Sequence, residues 1–351
     1  MKSGNQKTTI HDIARKVGVS ASAVSAALNG TWQKRRLSKS TVERIKAAAD
    51  EENYSVNLQA RGLRKARSGL AGMVLPDHNN RYFAQLSQNF ATAAHQRGLC
   101  PAIVHAGRDA DEQVRSVESL LAYAVDLIMV AGASEPDSLA QICRDAGIPC
   151  VFVDHPCQKA PSVVSDNFSG SVELAHLLVT HMTRPAPDDP ASWIYFLGGS
   201  ARLPATSERI RGFRHQTGTA GLLFSDAQVI ACGYDSARAE AELAALYQRL
   251  GRLPGALYVN SIDCFEGVVR FLARLPEGDI AKSTFGCFDY DPFGILLRFP
   301  LFMVRQRAEK IIERAFHLLE QAPDKAELVM IKPEINRPNS AEIPDQTSTT
   351  A

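Results

Sequence analysis

The chain has 351 residues, of which 45% are hydrophobic and 22% charged, a composition that excludes a disordered chain and leaves room for two or three domains. No run approaches the roughly 18 consecutive apolar residues of a membrane helix, and the polar segment 1–9 is unlike a secretory signal. The seven cysteines include no CxxC pair, which argues against a disulfide framework or a zinc site and predicts a cytoplasmic protein.

Charge is distributed unevenly along the chain behind a formal net charge of +1. Residues 1–67 carry 14 Lys and Arg against 5 Asp and Glu, whereas the remainder carries 25 against 33. A small basic head on an acidic body indicates a polyanion-binding module joined to a second functional unit.

The head predicts two short helices separated by a tight turn. The apolar spacing of one helical face is seen at Ile10, Ile13, Ala14 and Val17. A second helix is predicted between the N-cap residue Ser20 and Asn29-Gly30. Its inner face consists of Val24, Ala27 and Leu28, and its outer face of Ser22, Ser25, Ala26 and Asn29. Two short helices joined in this way form a helix-turn-helix, whose second helix can enter a major groove.

A third helix is predicted after the basic loop 34–36. Ser38 or Ser40 is expected to cap it, and its buried stripe is formed by Val42, Ile45 and Ala49. The segments TTIHDIARKVGVSASAVSAALNG and LSKSTVERIKAAADEENYSVNLQARGLR closely resemble the headpiece of the LacI/GalR family of transcriptional regulators. The resemblance implies an all-α DNA-binding headpiece over residues 1–56, followed by a hinge helix and linker over residues 57–69.

The resemblance also implies which residues meet DNA. By family position they are Thr9, Ser20, Ala21, Ser22, Ser25, Ala26, Asn29, Asn57, Ala60, Arg61 and Leu63. Leu63 matches a leucine that wedges into a minor-groove step and bends the duplex. Ala21, Ser22 and Ala26 offer no side chain for a bidentate base contact, so readout is expected to lean on thymine methyls, water, the hinge and DNA deformability.

The body predicts strands alternating with helices. Apolar runs occur at Leu70–Leu75, Leu127–Ala131, Cys150–Val153, Ile194–Leu197, Ala256–Val259 and residues 301–304. Continuous apolar strands between helices imply parallel sheets covered on both faces, and the length of the body suggests two α/β lobes. The polar tail 339–351 is expected to be flexible.

The family resemblance continues through the body, over roughly residues 8–338 in all. Segments such as GMVLPDHNNRYFAQLSQNFATAAHQRGL, VDLIMVAG and SERIRGF follow in the family order and imply the two-lobed fold of type I periplasmic sugar-binding proteins. The expected body is 70–338, with lobe one about 70–165 and 300–323, and lobe two about 166–295 and 324–338. The stretches YFLGGSARL and STFGCFD resemble the sucrose-operon and fructose repressor subgroups.

A sugar effector is expected in the cleft between the lobes, at the carboxyl ends of the strands. Asp154 and Asp289 each follow an apolar strand and can accept hydrogen bonds from two hydroxyls. The resemblance adds five further candidates, namely Tyr82, Phe83, Arg209, Tyr234 and Ser261. Many family members carry an Asn-Asp pair here. Ser261 takes the usual place of that contact, and Asn260 stands one position early unless the loop is one residue longer.

The function predicted is a repressor of a sugar-utilisation operon that binds double-stranded operator DNA as a homodimer. A sucrose- or fructose-type sugar in the interlobe cleft is expected to release or modulate it. One alternative is a regulator that responds to a sugar phosphate, for which Arg202 is the candidate contact, and another is a sugar-binding protein without a DNA function. An enzyme is disfavoured because Gly198-Gly199-Ser200 matches neither GxSxG nor a phosphate loop, and the histidines form no metal-ligand cluster. No catalytic residue, metal or cofactor is predicted. The tail has no leucine heptads, so no coiled-coil tetramer is expected.

Overall fold

The computed structural model describes residues 8–52, 54, 67–76, 80–222, 224–321 and 325–337, in two compact units, Met1–Ser68 and Gly69–Ala351. The hinge candidates Asn57, Ala60, Arg61 and Leu63 and the predicted tail lie outside the described residues.

The first unit contains the three predicted helices, α1 Ile10–Val17, α2 Ala21–Leu28 and α3 Lys39–Glu51. Local capping explains their bounds. Thr9 and Asp12 form a reciprocal capping box before α1, and Gly18 ends that helix in the left-handed conformation. Ser20 accepts a hydrogen bond from the amide of Ala23, and Ser38, not Ser40, caps α3. Inward-facing residues of all three helices, including Ile13, Val24 and Ile45, form one small core.

One prediction about α2 is wrong. Ala26 was expected on the outer, solvent-facing side, but only 5% of it is exposed. The chain that leaves α2 folds back over this position, since the amide of Thr31 donates to the carbonyl of Ala26. Ala26 therefore lies inside the packed headpiece, unlike the exposed Ser22.

The second unit contains two six-stranded sheets with helices on both faces. In spatial order the first sheet is β11 Leu328–Ile331, β5 Ser162–Ser165, β4 Cys150–Val153, β3 Leu127–Ala131, β1 Leu70–Leu75 and β2 Cys100–His105. The second is β12 Glu334–Asn336, β10 Leu301–Arg305, β9 Thr284–Cys287, β8 Ala256–Val259, β6 Ile194–Leu197 and β7 Val229–Ile230. All pairs are parallel except β10 with β12.

The helices of this unit are α4 Arg81–Gln96, α5 Ala110–Ala122, α6 Pro136–Asp145, α7 Asn167–His181, α8 Pro204–Thr219, α9 Ser236–Leu250, α10 Ile262–Leu272, α11 Glu277–Ile280 and α12 Ala308–Gln321. Short 3-10 turns lie at Pro190–Ser192, Asp226–Gln228 and Pro292–Leu296. All six apolar runs are strands, as predicted. Each sheet is sandwiched between two apolar clusters, which explains why its strands are apolar on both faces. Within the described part of the chain, no helix is long and apolar enough to cross a membrane.

The predicted division of the C-terminal segments between the lobes is wrong at two strands. β10 was expected in lobe one, but Leu301 pairs with Phe285 of β9 in the second sheet. β11 was expected in lobe two, but it pairs with β5 at the edge of the first sheet. The chain therefore passes between the lobes three times, after β5, between β10 and α12, and between β11 and β12. Apolar runs predict a strand, but the sheet that it joins depends on distant pairing partners.

Candidate functional site

The predicted DNA-contact residues of the headpiece fall into two groups. Thr9, Ser20 and Asn29 use side-chain atoms within the headpiece: the first two cap helices, and the amide nitrogen of Asn29 donates to the carbonyl of Ser25 at 2.7 Å. Ser22 is exposed, and Ala21 and Ser25 are partly exposed on α2. Thr9, Ser20 and Asn29 therefore fix the positions of the helices. The exposed surface consists of the outer residues of α2 and the loop 34–36.

The second unit brings polar residues together at the carboxyl ends of strands from both sheets. Asp154 follows β4, Asn260 follows β8, and Gln306 follows β10. Asp289 comes two positions after the end of β9, and Ser165 is the last residue of β5. Parallel strands present these ends at one edge of each sheet, which is where ligands bind in open α/β folds.

Arg209 is held in a fixed position although only 3% of it is exposed. Its Nε donates to Oδ1 of Asn167 at 2.8 Å, and one terminal nitrogen donates to the carbonyl of Asn260 at 2.6 Å. The guanidinium carbon lies 3.9 Å from the centroid of the Phe288 ring. Asn167 is itself anchored, because its amide nitrogen donates to the carbonyl of Ser165 at 3.1 Å. This arrangement provides the hydrogen bonds and aromatic cover that a buried cation requires.

Asp289 is hydrogen-bonded to Ile262 of the second lobe and is linked to the first lobe through Gln306. Its Oδ1 accepts from Nε2 of Gln306 at 2.8 Å, and its Oδ2 accepts from the amide of Ile262 at 3.1 Å. The hydroxyl of Ser165, in the first sheet, donates to Oε1 of Gln306 at 2.7 Å. Burial raises the pKa of Asp289 to about 6, although Arg209 and both hydrogen bonds oppose the shift.

Tyr82 lies near these charges, in the first turn of α4. It is 6% exposed, and its hydroxyl has no hydrogen-bond partner among the described residues. Burial raises its pKa well above the usual range, and the nearby carboxylates of Asp154 and Asp289 raise it further. Asp154 is 8% exposed and adopts a left-handed φ of 72°, a strained backbone of the kind that clusters at functional sites. The structure therefore brings together Tyr82, Asp154, Arg209 and Asp289.

The remaining predicted candidates have other roles in the cleft wall. The hydroxyl of Tyr234 pairs with Oγ1 of Thr206 at 2.8 Å. The Arg108 guanidinium lies 5.1 Å from the ring centroid of Tyr234 and 5.8 Å from that of Phe83. Ser261 is the N-cap of α10, so its hydroxyl already accepts a backbone hydrogen bond.

Asn260 is the better candidate at the position where Ser261 was predicted. It is fully buried, and neither its amide oxygen nor its amide nitrogen has a partner in the described structure. Gly199 makes room for it, because a β-carbon at position 199 would lie 2.4 Å from the Asn260 amide nitrogen. A buried amide without partners is costly unless a ligand or water completes its hydrogen bonds.

Comparison with known proteins identifies the two units. A periplasmic binding protein domain matches residues 71–295, and the lacI family of bacterial regulatory proteins matches residues 9–57. The sucrose operon repressor of Klebsiella pneumoniae is 32% identical over 324 residues, which cover 91% of this chain and 93% of that repressor. The chain belongs to the lacI family.

Two further relatives of this lacI-family protein are informative. The ribitol operon repressor of Klebsiella aerogenes is 40% identical over 179 residues, which cover 51% of this chain and 66% of that protein, just under two thirds of its length. The crystal structure of the lac repressor dimer bound to operator and the anti-inducer ONPF has a TM-score of 0.78 at 18% identity, covering 95% of this chain and 98% of that one. The predicted fold class and the prediction of a DNA-binding transcriptional regulator are confirmed.

The structure of this lacI-family regulator also shows contacts across the cleft that the sequence did not reveal. The amide nitrogen of Asn80 donates to Oδ2 of Asp263 at 2.8 Å, while its amide oxygen caps α4. Arg81 forms an ion pair with Asp291 at 2.7 Å. Residues 80–81 belong to the first lobe and their partners to the second, so the start of α4, which carries Tyr82, is tied to the opposite lobe.

Sequence reasoning missed Asn167, Gln306 and Ser165 as cleft residues. Each lies within two positions of the end of a strand, the same signal that selected Asp154. The described residues contain no cluster of three or more His, Cys, Asp or Glu side chains suited to a metal ion.

Proposed function

We propose that this regulator is a homodimeric repressor of a carbohydrate-utilisation operon, controlled by a small polyhydroxy effector in the interlobe cleft. The observation that carries the proposal is the buried group of Arg209, Asp289, Tyr82 and Asn260, which offers unpaired polar atoms within a chain that also has a helix-turn-helix. The names of the ribitol and sucrose operon repressors support an operon of this class.

The DNA side of the proposal combines the headpiece with the hinge. The exposed face of α2 and the basic loop 34–36 would meet the major groove and the phosphates. Asn57, Ala60, Arg61 and Leu63 would form the hinge contacts, with Leu63 inserted into the minor groove. A homodimer is proposed because a two-fold symmetric protein matches a pseudo-palindromic operator.

The effector side of the proposal depends on the connections between the lobes. A ligand shifts an equilibrium only by its differential affinity for the two states. Two consecutive hydrogen bonds, from Ser165 to Gln306 and from Gln306 to Asp289, join the lobes at the cleft. A ligand that binds Asp289 and Tyr82 would therefore favour one arrangement of the lobes. Arg209 and Asp289 would anchor ligand hydroxyls, and no catalytic step or cofactor is assigned to them.

The proposal is tested by operator binding. A duplex would be selected from a random library with the purified protein, and its affinity measured by fluorescence anisotropy at fixed salt. Leu63→Ala should weaken specific binding by roughly 1–3 kcal/mol, or about tenfold to a hundredfold. Leu328→Ala, at an exposed position on β11, is the matched control. Equal affinity of Leu63→Ala and the parent would refute the hinge contact.

The effector is tested on the same complex. Ribitol, sucrose and fructose would be added in turn, and the compound that changes anisotropy identified. Arg209→Ala should keep operator affinity but lose this response, provided that its thermal unfolding remains cooperative. A variant that responds like the parent would remove Arg209 from the effector site.

A further inference from the structure

We infer that the cleft selects an uncharged polyhydroxy compound and discriminates against its phosphorylated form. The inference rests on the proposed function in one respect, namely that the cleft is the effector site. The family resemblance leaves two classes of effector open. One class is uncharged sugars and polyols, and the other is sugar phosphates.

The charges in the cleft disfavour an anion. Asp154 and Asp289 are both more than nine-tenths buried, and Arg209 is the single buried arginine among the described residues. Arg108, whose guanidinium lies 5.1 Å from the Tyr234 ring centroid, is exposed. His155 turns Nδ1 to the carbonyl of Ala133 at 2.7 Å, and its Nε2 lies 3.6 Å from Asp154, so it is engaged within the protein. A phosphate monoester carries about −1.5 to −2 charges at neutral pH and would meet two carboxylates there.

Part of the donor capacity of Arg209 is already used within the protein. Tight phosphate recognition by arginine uses two parallel N–H donors of the guanidinium. In this structure Nε is bonded to Asn167 and one terminal nitrogen to the carbonyl of Asn260, while the Phe288 ring lies against one face of the group. Two of the five guanidinium N–H groups are therefore already used within the protein, which leaves fewer donors for a phosphate than a free arginine offers.

The unpaired polar groups suit hydroxyls. The Tyr82 hydroxyl is buried and makes no hydrogen bond shorter than 3.5 Å to a described residue. Asn260 contributes one free acceptor and one free donor. A ligand hydroxyl both donates and accepts, so it can donate to a carboxylate and accept from Tyr82, Asn260 or Arg209. A phosphate dianion has no proton to donate to a carboxylate.

The test compares matched pairs of ligands on the full chain. Calorimetric titrations would use ribitol with ribitol 5-phosphate, fructose with fructose 1-phosphate, and sucrose with sucrose 6-phosphate. In any pair that binds, the phosphorylated member should be at least about 100-fold weaker. A phosphorylated compound that binds as tightly as its partner, or more tightly, would overturn the inference.

A charge-removing variant tests the cause. Asp154→Asn keeps the side-chain shape, and asparagine tolerates the left-handed backbone at this position. Asp154→Asn should reduce the ratio of the two dissociation constants in a pair at least about tenfold. Asp226→Asn, at an exposed ion pair, is the control and should leave that ratio unchanged. An unchanged ratio in Asp154→Asn would refute the electrostatic cause.

The two proposals fail in different ways. If only phosphorylated compounds bind and release the operator, the charge inference is wrong while the repressor function stands. If no compound of any pair binds or changes operator affinity, the effector function itself is wrong and the inference fails with it.

Discussion

Replacing Asp289 by asparagine should change the pH dependence of stability in a defined direction. Burial raises the pKa of this carboxyl from 3.8 to about 6. The folded state therefore binds the proton more tightly than the unfolded state, and the charged form opposes folding. That unfavourable contribution is absent well below pH 3.8 and complete above about pH 6.

The magnitude follows from the shift. Two pKa units correspond to about 3 kcal/mol, and between about pH 8 and pH 4.5 the parent should gain about 2 kcal/mol from protonation of Asp289. Asparagine at this position cannot gain it. The variant keeps an acceptor for Gln306 but places an amide donor opposite the Ile262 N–H, which costs about 1 kcal/mol at every pH.

The assay is urea unfolding of parent and variant at several pH values. Near pH 8, Asp289→Asn should be more stable than the parent. Between pH 8 and about pH 4.5 the difference in unfolding free energy should fall by about 2 kcal/mol, so that the advantage disappears. Groups that titrate identically in both proteins cancel from the difference. Asp226→Asn, whose carboxylate is 88% exposed, is the matched control and should show no such change. A difference between Asp289→Asn and the parent that stays constant over this range would refute the reasoning.

Two further predictions concern a helix cap and the interlobe ion pair. Ser20→Ala should destabilise the headpiece by about 1 kcal/mol because an amide at the start of α2 loses its acceptor. Fluorescence of Trp32 in a Trp193→Phe background would follow headpiece unfolding. An unfolding transition at the same position as in the parent would contradict the capping role. Arg81→Ala should change the free energy of unfolding by less than about 1 kcal/mol. It should nevertheless weaken effector binding, because the ion pair between Arg81 and Asp291 joins the two lobes. Unchanged effector affinity in titrations would refute this coupling.

The sequence by itself determined the local elements and the kind of molecule. The three headpiece helices and six body strands follow from apolar spacing and from capping residues such as Thr9, Ser20 and Gly18, all of which act within a few positions along the chain. The headpiece motif also predicted a DNA-binding regulator, because its residues match the LacI/GalR headpiece in order over a long segment. Asp154 and Asp289 could be selected because residues at strand ends approach ligands.

Only the tertiary structure decided which elements meet. β10 joins the second sheet and β11 the first because their partners lie far along the chain, and the packed headpiece buries Ala26 for the same kind of reason. Ser165 and Gln306 are 141 residues apart, and Arg209 and Asn260 are 51 apart, yet both pairs are hydrogen-bonded. Apolar periodicity carries no information about such pairings, whereas burial of these polar groups makes their long-range hydrogen bonds obligatory.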